Sequence, residues 1–268
     1  MIAMPNTLAI LSLAGLIFSS VLMFLTWTIA TRIQNAGIVD IAWSAGFLFL
    51  VMIYTIGSDG YLPRKLLILS MILFWSLRLS LYLAIRIARA HPREDARYQE
   101  LRRKWQNHAN RNFFYFFQFQ ALLLLLLSVP FILISLNDRT GLIWLEWMGL
   151  VLWAIAWIGE TLADRQLYQF KSDPARKGQV CQTGLWRYSR HPNYFFEWLN
   201  WCAYFVFACG SPFGFIAIYC PVVMLFFLFK VTGIPVTEEQ SLRTKGDAYR
   251  LYQKTTSAFV PWFRKKAQ

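Results

Sequence analysis

The stretch Thr183 to Glu197, TGLWRYSRHPNYFFE, passes without a break from a basic, aromatic-rich loop into a long apolar run. Pro192 suits the first position of a helix, where its missing N–H costs nothing. A helix starting there points free N–H groups and partial positive charge at the loop, which favours an anionic ligand. Arg187, Arg190 and His191 add full or potential charge at the same place, while Asn193 and Glu197 lie inside the apolar run. Lipid head groups account for the arginines. They do not account for an amide and a carboxylate within an apolar segment. The stretch therefore reads as an anion-binding loop at the mouth of a membrane cavity.

Working outward, 57% of the 268 residues are hydrophobic, against about 45–50% apolar in a soluble domain. The excess falls in blocks of about 20 residues, the length that crosses a bilayer core. The blocks are Leu8 to Ala30, Ile38 to Ile56, Leu66 to Ala90, Phe113 to Leu136, Ile143 to Leu162, Tyr194 to Cys209 and Phe213 to Ile234. The expected fold is all-α, a polytopic membrane protein with a bundle of seven transmembrane helices in one membrane domain over 1–268. No charge precedes Arg32 and no small-residue cleavage pattern follows the first block, so that block is expected to stay as a helix.

The net charge of +13 sits in the loops between apolar blocks, which points to orientation and anionic head groups rather than to nucleic acid. Segments 86–112, 164–190 and 230–268 carry eight, six and eight Lys plus Arg. The opposite loops carry only Arg64, Lys65 and Arg139. That asymmetry predicts a multi-pass protein with a cytoplasmic C-terminus, in the inner membrane if the source is bacterial. Four scattered cysteines and three scattered histidines suggest no metal site, and neither glycine-rich nucleotide motif is present.

Ionisable groups inside a membrane cost at least about 2.5–3.5 kcal/mol each and need a reason. Here they are Asp40, Arg78, Glu160, Asp164, Glu197 and Lys230, with the amide Asn193. Trp75, Arg78 and Tyr82 share a helical face that Arg86 and Arg89 continue toward the cytosol. Glu160 and Asp164 share another, and Lys171, Arg176 and Lys177 follow in a basic loop over 163–191. Simple pairing, for example of Asp40 with Arg78, is the plain alternative for any one of these. The set as a whole suits a phosphate-rich ligand entering from the cytosol.

The stretch TGLWRYSRHPNYFFEW resembles the C-terminal domain of the steroid 5-alpha-reductases, especially their bacterial relatives. The run Asp40-Ile41-Ala42-Trp43, the segment RLSLYLAIR from Arg78 and the tail TGIPVTEEQSLRTKGDAYRLYQKTTSAFVPW fit that branch as well. The resemblance implies a seven-helix membrane enzyme that uses NADPH to reduce a carbon–carbon double bond conjugated to a ketone. Its substrate would be a flat hydrophobic lipid such as a 3-oxo-4-ene steroid. Residues 8–136 would form substrate-side helices one to four, and 143–268 a reductase-like part with cytosolic cofactor loops. Asp164, Tyr188, Asn193 and Glu197 match the family's cofactor-contacting positions. Lys171 stands where the steroid enzymes have an arginine, keeping charge but losing the bidentate fork.

In place of a small-residue run stands Arg190-His191-Pro192, and this resembles a second group, the isoprenylcysteine carboxyl methyltransferases and phospholipid methyltransferases. They share an RHP-x-Y element and a Glu-Glu pair, here Glu238-Glu239, and use S-adenosylmethionine. Phosphates suit the arginine face of Arg78, Arg86 and Arg89 better than a sulfonium cation does, which favours the reductase. The cofactor set is then Arg78, Arg86, Arg89, Glu160, Asp164, Lys171, Arg176, Tyr188, Arg190, His191, Asn193, Glu197 and Glu238. The family's carboxylate–tyrosine pair near the ketone has its counterparts in Asp40 and Tyr82, with Trp75 as the other occupant of the tyrosine's place. Burial would keep Asp40 protonated and able to donate. The loop 163–191 and the tail 235–260 are expected to close over the dinucleotide. Membrane lipids are the other expected partners, and the expected state is a monomer.

Overall fold

A computed structural model describes residues 3–231 and 233–265. Thr232, inside the expected last span, and 266–268, at the end of the expected tail, lie outside the described residues. The described residues are helical throughout except for turns, connecting segments and one isolated parallel bridge between Ser189 and Ser257. The chain forms two compact units. The first runs through Leu142 and includes Ser211–Gly214, and the second holds 143–210 and 215–268.

In the first unit α1 (Ala3–Ile33), α2 (Ile38–Ile56), α3 (Leu62–Ala90) and α5 (Ala109–Ser135) are the long apolar helices, and the short charged α4 (Ala96–Trp105) precedes α5. Phe47, at the centre of α2, meets Trp43, Trp75 and Phe131 edge-on with ring centroids 4.8, 5.7 and 6.3 Å away. Edge-to-face contact suits the ring quadrupole and fixes the packing of α2, α3 and α5. Small hydroxyls close the same seams. Tyr54 pairs with Ser128 at 2.8 Å, and Ser76 donates to the Ser44 carbonyl at 2.7 Å. Arg64 and Lys65 are buried at the start of α3. Arg64 donates to the carbonyls of Asn137, Arg139 and Gly141 at 2.7–3.0 Å, and Lys65 to those of Thr55 and Ser58. These two cations satisfy backbone groups that turns would otherwise leave unpaired.

The second unit is built on α6 (Trp144–Ser172) and α7 (Pro192–Ala208), followed by α8 (Tyr219–Phe226), a π-turn (Phe227–Val231) and α9 (Ile234–Thr255). Gly149 and Gly159 of α6 let α7 approach. A Cβ at either would lie within 3 Å of Phe207 or Phe196. The α6 helix continues well past Leu162, so the expected loop over 163–191 is shorter than the sequence suggested. Gln, Leu, Tyr and Lys are adequate helix formers, and Asp173-Pro174 is what ends the helix. Lys171 thus stands in the last turn of α6, where a cation complements the helix dipole.

Among the described residues, six helical runs are long and apolar enough to cross a membrane. The seventh expected span is α7, with 17 residues, at the short end of the roughly 17–25 that cross a bilayer. The last apolar run is irregular: a 3-10 segment (Gly214–Ile218), α8 and the π-turn succeed one another. Many large apolar side chains point outward, among them Ile10, Leu13, Leu81, Trp144 and Val151. Water would not tolerate such surfaces, and lipid does. The protein is an all-α, multi-pass integral membrane protein. Only the apolar part of each run is its membrane span, so the charged helices α4 and α9 lie outside the spans.

Candidate functional site

The second unit gathers most of the polar residues singled out in the sequence. Gly184, at φ +58°, adopts the left-handed conformation that glycine tolerates, and Gln166 fills the space beside it. The Gln166 side-chain oxygen accepts from the Leu185 N–H at 2.8 Å, and the Trp186 indole donates to the Ala163 carbonyl at 2.9 Å. These bonds hold the turn Gly184–Arg187 against α6. The chain after α9 returns to the same loop: Arg190 N–H donates to the Ser257 carbonyl and Trp262 N–H to the Tyr188 carbonyl, each at 2.9 Å. Tyr188 itself is largely exposed, its ring edge-on to Phe263.

Beneath that loop, α6 and α7 share a set of buried and half-buried polar groups. Asn193 donates to Asp164 at 3.3 Å, and Asn200 donates to Glu160 at 3.2 Å. Glu160 and Asp164 are 4% and 7% exposed. Glu197, between the two asparagines, accepts from the Trp201 indole at 3.1 Å. Residues 193, 197 and 200 follow helical spacing, so α7 presents them on one face. Asn200 was legible by that spacing in the sequence and was missed. Its amide oxygen is buried with no hydrogen-bond partner among the described residues.

Glu238 of α9 is the hub of a second cluster. It accepts from Arg190 Nε at 2.6 Å, His191 Nε2 at 3.2 Å and Gln253 Nε2 at 2.8 Å. Burial alone would raise its pKa. The bonds from His191, Arg190 and Gln253 outweigh that and hold it at about 2. His191 is driven down from its ordinary value by burial, which together with the charge of Arg190 outweighs the hydrogen bond and charge of Glu238. With Glu238 ionised, Nε2 carries the proton. His191 also stacks on Tyr194, whose hydroxyl meets Thr237 of α9 at 3.1 Å. Arg190, His191 and Glu238 thus join the loop to α9.

Arg176 pairs with Asp173 at 3.0 Å and lies over the Phe170 ring. With Lys171 and Lys177 it lines a cavity at the end of α6, beyond the apolar part of that helix.

In the first unit Asp40 does not pair as the plain alternative had it. Its carboxylate faces Arg97 at 2.9 Å and Arg86 at 3.9 Å, and it accepts from the Tyr98 hydroxyl at 2.6 Å. Asp40 thus lies among side chains of α3 and α4, and the tyrosine at its carboxylate is Tyr98 of α4. Arg86 also meets Asp95 at 3.5 Å, which spends its charge inside this network. Asp95 has its own pKa lowered. Burial opposes that, and the hydrogen bond and charge of Arg97 win. Arg78, half-buried, and Arg89, exposed, belong to the same helix as Arg86 and so to the first unit, while the cluster of α6, α7 and α9 belongs to the second. Trp75 is fully buried among the rings around Phe47.

The family described as "Protein of unknown function (DUF1295)" matches residues 26–256, and it includes steroid 5-alpha-reductase-like membrane proteins. The chain is 28% identical over 286 residues to the uncharacterized protein C594.04c of Schizosaccharomyces pombe, covering 92% of this chain and 78% of that protein. No solved structure matches.

Proposed function

We propose that this chain, which belongs to the DUF1295 family, is an NADPH-dependent membrane reductase acting on the carbon–carbon double bond of an enone lipid. The observation that carries the reading is the polar set shared by α6 and α7: Glu160, Asp164 and Asn200, which are buried, with Asn193 and Glu197, which are half-buried. Polar groups at this depth are costly, and a site that must hold a polar cofactor within apolar helices gives them a use. The unpartnered oxygen of Asn200 fits a ligand amide that donates a hydrogen bond. Glu160, Asp164 and Asn193 would fix the orientation of such a cofactor, and Tyr188 and the Gly184–Arg187 turn lie at its outer end. NADPH, when bound, supplies the hydride. The loop charges place the C-terminus in the cytoplasm under the same reading.

A second reading has its own observation. The contacts of Arg190 and His191 with Glu238 join the two elements that resemble the methyltransferases. A methyltransferase of a lipid or prenylated thiol would bind S-adenosylmethionine there. Melting of the detergent-solubilised protein with NADPH, NADH and S-adenosylhomocysteine separates the readings. A ligand at about 100 times its Kd adds roughly 2.7 kcal/mol to a folded state that alone binds it. NADPH is expected to raise the melting temperature. Stabilisation by S-adenosylhomocysteine alone would replace the reductase with the methyltransferase.

A further inference from the structure

The cavity beside the end of α6 has a volume of about 210 Å³ and is walled by Phe170 on one side and by Lys171, Arg176, Lys177 and Lys245 on the others. Whole small-molecule ligands occupy roughly 300–1,000 Å³, so this space receives one end of a larger molecule. Arg176 is steadied by Asp173 and by the Phe170 ring. Lys177 and Lys245 have no hydrogen-bonding or ionic partner among the described residues. Lys245 is half-buried, and its ammonium is made more acidic by that burial first and by the charge of Lys171 second. Four cations line this cavity, and the lining itself holds no carboxylate among the described residues; Asp173 pairs with Arg176 from beside it. The cations repel one another, and only an anion between them turns that repulsion into attraction. The anion that suits several ammonium groups and one guanidinium is a phosphoryl group, and the charge excess suits a dianion.

We propose that Lys171, Arg176, Lys177 and Lys245 form a binding site for a terminal phosphomonoester, with Lys245 as the residue that selects the dianion. Two molecules carry that chemistry to this place: the 2′-phosphate of a phosphorylated dinucleotide, or the headgroup of a phosphatidic acid. The first source rests on the reductase reading above; the site itself does not.

The test uses the purified full chain in neutral detergent, and in nanodiscs of phosphatidylcholine with or without phosphatidic acid. Melting temperatures are read with 2′,5′-ADP, 5′-AMP, NADPH and NADH. For a dinucleotide source, 2′,5′-ADP stabilises the protein more than 5′-AMP does, and Lys245→Met weakens 2′,5′-ADP and NADPH by about tenfold, the loss of one charge-assisted hydrogen bond. For a lipid source, phosphatidic acid stabilises and Lys245→Met removes the effect. The unliganded variant should melt no lower than the parent, since the substitution removes a half-buried cation that has no partner. Should Lys245→Met fold poorly, Lys177→Met on the exposed rim is read in the same way, with a smaller loss. Phosphomonoester binding that survives both substitutions unchanged, or its absence in the parent from both sources, overturns the site. NADPH binding untouched by the substitutions, with no phosphatidic acid binding in the parent, would sink the site and leave the reductase standing. Phosphatidic acid binding without any NADPH binding would do the reverse.

Discussion

Tyr98 donates its hydroxyl to Asp40 Oδ1 over 2.6 Å, joining the first turn of α2 to α4 across 58 residues of chain. Arg97 holds the other carboxylate oxygen at 2.9 Å, and Asp95 caps α4 while it pairs with Arg97 and Arg86. The charged segment between two apolar helices is therefore folded down onto the end of α2. Asp40 is shared by two hydrogen-bond donors, with Arg86 as a more distant ion-pair partner at 3.9 Å, so removing one changes what the others gain.

Asp40→Asn and Tyr98→Phe are each expected to destabilise the protein by about 1–3 kcal/mol, the cost of leaving buried polar partners unpaired. The double variant should lose less than the sum, with a coupling of about 0.5–3 kcal/mol for groups in direct contact. Thermal or denaturant unfolding in detergent measures the cycle. Strict additivity would mean that the hydroxyl and the carboxylate do not meet in solution. Under the reductase reading, Asp40→Asn also abolishes turnover while cofactor binding persists.

The acid limb of stability should belong to Glu238. Its folded pKa of about 2 lies below the ordinary 4.5. The contribution is thus complete above about pH 4.5 and is lost as pH falls toward 2. His191 acts in the same direction: its folded value lies below the ordinary 6.5, so from there downward the unfolded chain gains a proton that the folded chain resists. Glu238→Gln should lower the melting temperature at pH 7 and flatten its fall below pH 4.5. Parallel melting curves for parent and variant from pH 7 to pH 3 would show that Glu238 carries no such linkage.

What was legible in the sequence follows from how local the signal was. Block length exposed the apolar helices, because crossing a bilayer fixes a length. Helical spacing placed Glu160 with Asp164, since the pair lies on one helix, and the apolar run after Pro192 held both Asn193 and Glu197. The partners of Asp40 were hidden, because contact between α2 and α4 is set by how the 91–95 turn folds back. No periodicity encodes that. Lys245 was hidden for the same reason: it reads as one charge in a basic tail until α9 brings it beside Lys171. The end of α6 was legible and overlooked, because Pro174 marks it more sharply than the charges before it do.

The pairing of α6 with α7 gives the last prediction. A Cβ at Gly149 would sit 2.8 Å from the Phe207 backbone nitrogen and 3.0 Å from the Ala203 carbonyl oxygen. In lipid, two helices gain little from apolar burial as such, so they associate through close packing at small residues. Alanine improves helix propensity by about 1 kcal/mol over glycine. Here the obstruction is largely backbone, which cannot rotate away, and overpacking of this kind costs about 1–3 kcal/mol. The steric term should win, because α7 is only 17 residues long and has few turns over which to spread a displacement. Gly149→Ala is therefore expected to lower the melting temperature and to loosen the Glu160–Asn200 pair, which lies on the same seam. A melting temperature at or above that of the parent would mean that α6 and α7 stand further apart than this packing requires.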